Sequence, residues 1–139
     1  MDADASREQD RMDAEASREQ PGTEAERTGL MMVELSNAMV RIYKESFGRG
    51  PTKVRTSYAG PDLIVSTLEH SLTHAERKMA EAGDHKELRD LRTYFQYLSR
   101  DQFEGAVEEI TGRKVRAFVS GIDTEQDLSS ELFYLEPRN

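Results

Sequence analysis

Residues 53–58, KVRTSY, alternate Val54, Thr56 and Tyr58 with Lys53, Arg55 and Ser57, the period of two that sends successive side chains to opposite faces of a β-strand. The next apolar run, LIVSTL at 63–68, is rich in β-branched residues and begins after only Ala59-Gly60-Pro61-Asp62. Four residues of turn chemistry leave no room for the crossover that parallel strands need, so the two runs are predicted to pair antiparallel as a hairpin. A second pair of runs, 114–120 and 130–136, is separated by the polar stretch 121–127 and reads as a second hairpin. Strands that come in two clusters argue for a mostly antiparallel sheet rather than an alternating α/β fold.

Helical periodicity fills the remaining segments. Met32, Leu35, Met39, Ile42, Tyr43 and Phe47 recur at spacings of three and four, one stripe of a helix from 30 to 47. Gly48-Arg49-Gly50-Pro51 ends it, because Gly48 can take a left-handed conformation and Pro51 cannot continue a helix. Thr73 and Glu76 have capping-box spacing, which predicts a short helix to about Ala82 closed by Gly83. A longer helix from Asp84 carries Leu88, Leu91, Phe95, Leu98, Phe103, Ala106, Val107 and Ile110, with a step near Ser99 to Asp101 and Gly112 at its end. On this stripe Leu91, Phe95 and Leu98 are expected in the core, where Phe95→Ala would cost about 3–5 kcal/mol. The expected fold is a single small α+β domain in the order α-β-β-α-α-β-β, with helices packed on one face of the sheet.

The 139 residues are 36% hydrophobic and 33% charged, without Cys or Trp, a balance suited to one soluble domain with a wet surface. Lack of Cys removes disulfides, thiolate metal ligands and cysteine nucleophiles, and fits a reducing compartment. The N-terminus, MDADASREQ, is acidic where a signal peptide is basic and then apolar, so a cytoplasmic location is expected. The net charge of −8 is concentrated at 1–26, which holds nine acids and three Arg. Within it MDADASREQ recurs as MDAEASREQ at 12–20. Such a composition buries too little to offset its ordering entropy, so 1–26 is expected to be a disordered acidic tail, with 27–139 as the folded domain.

The run YKESFGRGPTKVRTSYAGPDLIVSTLEHSLTHAERKMAEAG, then EEITGRKVRAFVSGID, then ELFYLEP, resembles the MpsC-like domain family over about 30–137. Its most specific pieces are Gly48-Arg49-Gly50-Pro51, Leu72-Thr73 with Glu76, and Thr111-Gly112-Arg113-Lys114-Val115. The resemblance implies association with a bacterial Na+-translocating, membrane-potential-generating system that is also linked to inorganic-carbon uptake. It brings no catalytic residues with it. The implied role is that of a non-enzymatic accessory or regulatory domain whose partner is a protein, such as a membrane transport component. No direct membrane insertion is expected, nucleic acid is disfavoured as a partner, and homo-oligomerisation is left open.

The residues themselves give few chemical motifs. His70 and His74 are four apart, but Thr73 as helix cap leaves His70 outside the helix, and a zinc site would want further ligands. No metal or other cofactor is therefore expected. There is no Gly-x-Ser-x-Gly elbow, and Gly48-Arg49-Gly50-Pro51 precedes a strand rather than the helix of a phosphate-binding loop. The cluster that remains is basic: Arg49, Lys53, Arg55, Arg113, Lys114 and Arg116 flank or lie on the first and third strands. If those strands are neighbours, Lys53, Arg55 and Arg116 share the face opposite the helices and offer a site for a small anion or nucleic acid. Ordinary solvated charges on an open antiparallel sheet are the plainer alternative.

Overall fold

The computed structural model describes residues 7–11 and 22–138. Most of the duplicated tail lies outside them. The chain divides into two units, Met1–Met31 and Met32–Asn139. In the first, 7–11 is a short helical segment, and Thr23 Oγ1 accepts from the Glu26 amide at 3.1 Å. That cap opens helix α1 (Glu24–Phe47), which starts six residues before the periodic stripe that announces it.

In the second unit the first hairpin is β1 (Lys53–Tyr58) and β2 (Leu63–Glu69). Helix α2 (His74–Glu81) carries both hydrogen bonds of the predicted capping box. The long predicted helix divides at Ser99 into α3 (His85–Leu98) and α4 (Arg100–Thr111), and Gly112 closes α4 at φ 71°. That left-handed conformation is one that Gly adopts without penalty. The second hairpin, β3 (Val115–Asp123) and β4 (Leu128–Leu135), runs further toward its turn than predicted.

All strand pairs are antiparallel and the sheet order is β1-β2-β4-β3. The architecture is the expected α+β domain. The four strands give the sheet two unlike faces. Ile64, Leu68, Phe118, Phe133 and Leu135 point inward and pack with Leu35, Met39 and Tyr43 of α1, Leu88 of α3, and Phe103 and Val107 of α4. The outward positions of one register row are Ser57, Val65, Leu132 and Val119. The open face is therefore apolar at three of the four positions of this row rather than uniformly charged.

One predicted face is corrected. Leu91, Phe95 and Leu98 are 44%, 41% and 61% exposed, while Leu88, Arg92 and Gln96 are the buried residues of α3. The helix is turned so that two polar residues, four apart, face the core.

Candidate functional site

A polar row crosses the whole inner face of the sheet. Thr56 pairs with Ser66, Ser66 with Glu131, and Glu131 with Ser120, one residue from each strand in register. All four are buried, Glu131 and Ser66 completely. Thr56 and Ser66 hydroxyls lie 2.6 Å apart, and Ser36 Oγ of α1 donates to Thr56 Oγ1 at 2.9 Å. At the centre, Tyr43 Oη donates to Glu131 Oε1 at 2.6 Å. Gln96 Nε2 lies 2.7 Å from Ser120 Oγ, 2.8 Å from Glu131 Oε1 and 3.1 Å from Tyr43 Oη. Two amide hydrogens serve the two shortest of these contacts. Tyr97 Oη accepts from the Ser120 amide at 3.1 Å, which covers part of the free edge of β3.

Burial dominates the electrostatics here. It pushes the Glu131 carboxyl up to about 7, against the opposing pull of bonds from Ser120, Tyr43 and Gln96 and of the Arg92 cation. Burial, and then the negative charge of Glu131, also hold Tyr43 well above the usual phenol range, so it stays a donor. Gln96 Oε1 and Glu131 Oε2 are buried without a hydrogen-bond partner. Each such atom costs about 1–3 kcal/mol.

Next to this row Arg92 is fully buried. Its Nη1 donates to Glu76 Oε1 at 2.7 Å and to the Ser71 carbonyl at 3.3 Å, and its Nη2 donates to Ser71 Oγ at 2.9 Å. The guanidinium stacks 3.5 Å from the Phe47 ring centroid, a cation–π contact strengthened by exclusion of water. Asp127 fixes the loop that brings Ser71 there, accepting from the Ser71 and Leu72 amides at 2.9 and 3.1 Å. Asp127 and His70 both have positive φ, at 54° and 60°, and the His70 amide donates to the Asp127 carbonyl at 2.9 Å.

With Arg92 and Gln96 turned in, the opposite side of α3 presents Leu91, Tyr94, Phe95 and Leu98, with Tyr97 alongside. Spacings of three and four make these a continuous stripe. All five are large side chains, each between 39% and 61% exposed, and contiguous exposed apolar side chains of this kind are candidates for an interaction site.

The basic cluster is not assembled on one face. β1 and β3 are the two edges of the sheet, roughly 14 Å apart at ordinary strand spacing. Lys53 and Arg55 are exposed on β1, with Lys53 Nζ 3.4 Å from Glu69. Arg116 is exposed at the bulge between Val115 and Ala117, where the extra residue breaks the alternation that the shared face requires. Lys114 is exposed just before β3. Arg113 is buried and structural: it donates to the Pro61 carbonyl at 2.7 Å, Asp62 Oδ1 at 2.6 Å and the Glu136 carbonyl at 3.0 Å. Half-buried Arg49 donates to the Leu72 carbonyl at 3.3 Å. Among the described residues there is no group of three or more His, Cys, Asp or Glu placed to hold a metal. His70 and His85 instead contact Thr52 and Thr124 at 2.8 and 2.7 Å.

Sequence reasoning missed Tyr43, Arg92, Gln96 and Glu131 as a set. A signal existed for Glu131, since alternation back from Leu135 and Phe133 turns it inward. None existed for Gln96, whose partners lie 24, 35 and 53 residues away. In comparison with known families, the model described as Na+-translocating membrane potential-generating system (MpsC) matches residues 27–137. No curated protein and no solved structure matches the chain.

Proposed function

We propose that this chain, which belongs to the MpsC family, is a non-enzymatic accessory or regulatory domain that binds a protein component of a Na+-translocating, membrane-potential-generating system through α3. The family description supplies the link to that system. The single observation that supports a contact role is the outward stripe of Leu91, Tyr94, Phe95 and Leu98, on a helix that turns Arg92 and Gln96 into the core. Aromatic and Leu side chains at three- and four-residue spacing suit a groove or helix face on a partner. No helix among the described residues is long and apolar enough to cross a membrane, so attachment through a membrane-embedded partner accounts for the family association.

The test is capture from native membranes with the tagged full chain, beside a Tyr94→Ser/Leu98→Asp variant. Both positions are 61% exposed, so the variant is expected to melt like the parent. Recovery of ion-translocating membrane proteins by the parent, and their loss with the variant, is the expected result. Recovery of soluble metabolic enzymes alone, or equal capture by the variant, overturns the reading.

A further inference from the structure

The two buried groups at the centre of the inner face are an amide and a carboxyl already joined at one corner. Gln96 Nε2 donates to Glu131 Oε1. The atoms left without partners on the same two groups are Gln96 Oε1 and Glu131 Oε2. Both are acceptors when the carboxyl is ionised, and neither can satisfy the other. One hydrogen on Oε2 converts it from an orphaned acceptor to a donor and removes a buried charge that no uncommitted cation faces.

We propose that the buried Glu131 carboxyl gains and loses its proton across the neutral range, and that its contact with the Gln96 amide is a latch fastening α3 to the sheet, loosened when the proton leaves and a charge is left buried. Gln96 is the residue through which α3 reaches Glu131, and Tyr97, beside it, binds the Ser120 amide. α3 is thus the element that feels a change of charge at Glu131.

The groups facing Glu131 are consistent with an occupied proton site. From α1 comes Tyr43, a neutral donor. From α3 come Gln96 and the cation Arg92, whose charge is matched by Glu76 of α2 at 2.7 Å rather than left for Glu131. The neighbouring strands supply only hydroxyls, Ser66 and Ser120 in register beside it, and α4 buries only Phe103 and Val107. With no uncommitted cation nearby, burial outweighs everything else and carries the carboxyl from 4.5 to about 7.

The sign follows from proton counts. Between 4.5 and 7 the folded chain keeps a proton that the unfolded chain has lost, so this group's contribution to stability falls as pH rises through that window and is flat above it. Over the full shift the folding constant drops about 300-fold, of which about tenfold falls between pH 6 and 8. Glu131→Gln is the isostere of the protonated form: it is neutral at any pH, and its amide oxygen still accepts from Tyr43. Urea unfolding of the full chain at pH 6 and pH 8 measures the difference. Relative to Glu131→Gln, the parent is expected to lose about tenfold in folding constant, while the three His residues cancel in the comparison. Hydrogen exchange, corrected for intrinsic rate, is expected to speed up in α3 of the parent at pH 8, and not in the variant. Equal pH dependence of the two proteins, or exchange in α3 that ignores pH, overturns the latch. Should Glu131→Gln not fold, the carboxyl carbon-13 shift of Glu131 in the parent decides. A titration midpoint near 7 supports the proposal, and one near the ordinary 4.5 refutes it.

Discussion

Phe95 and Arg92 are three residues apart on one helix, and truncating each to Ala separates the two orientations that α3 can take. Phe95 is 41% exposed, with ring contacts to Phe47 at 6.5 Å and Tyr94 at 5.7 Å. Complete burial would make Phe95→Ala cost about 3–5 kcal/mol; with two-fifths of the side chain already in water, about 2 kcal/mol is expected. Arg92 is fully buried and makes three hydrogen bonds, one of them to a Glu76 side chain only 13% exposed. Arg92→Ala strands that carboxylate and empties the space over Phe47, so about 3–5 kcal/mol is expected, the range seen when one partner of a buried pair is removed. Against a total stability of roughly 5–15 kcal/mol for a domain, Phe95→Ala should stay folded, while Arg92→Ala should sit near the edge of folding. Urea unfolding of both variants and the parent at one pH makes the comparison. A larger loss for Phe95→Ala than for Arg92→Ala would refute the orientation of α3, and with it both the outward stripe and the Gln96 contact.

Two further outcomes follow from the basic residues. Arg113→Lys is expected to lower stability by about 2–3 kcal/mol, because an ammonium cannot reproduce the fork that holds two carbonyls and Asp62; an unchanged thermal midpoint would show that the buried fork is dispensable. Lys53→Glu/Arg55→Glu/Arg116→Glu should remain folded, each exposed site contributing within about 0.5 kcal/mol. In polyphosphate titrations, an affinity loss from Arg116→Glu alone equal to that of the β1 pair would contradict their placement on opposite edges.

The hairpins and caps were legible because their causes are local. Ala59 to Asp62 is too short for anything but a reversal, the side chains of Thr73 and Glu76 accept from each other's backbone amides within one turn, and Gly112 supplies a left-handed residue where α4 must stop. The face of α3 was not legible for the opposite reason. Counting apolar residues selects Leu91, Phe95 and Leu98, and that choice fails because Arg92 and Gln96 find partners on α1, α2, β3 and β4 that no local window contains. Strand order failed in the same way. Each hairpin is fixed by its own turn, but whether β2 meets β4 or β3 depends on how the helices carry the chain back. Sequence therefore gives two pairs and leaves β1 and β3 free to be neighbours or opposite edges. Arg116 carries a further local uncertainty, since a one-residue bulge reverses the alternation on which a shared face depends.

The inner polar row and the outer apolar stripe have one cause. A core built only of Leu, Phe and Val would accept α3 with Leu91 and Phe95 turned in, since hydrophobic burial is non-directional and responds to area alone. Hydrogen bonds are directional. Once Glu131, Tyr43 and Ser120 occupy the centre of the inner face, the helix can lie on it only with an amide over them, and Gln96 is the residue that supplies it. Arg92, one turn earlier on the same side, then falls beside Glu76 and Ser71. Turning the apolar stripe inward would strand both sets of polar groups in the core, which costs more than the burial of two or three half-exposed side chains returns. Buried polar groups have been argued to fix a single packing where hydrophobic ones would allow several. Here the packing that they fix leaves the apolar side of α3 facing outward, available to a partner, and makes its seat depend on the charge of one carboxyl.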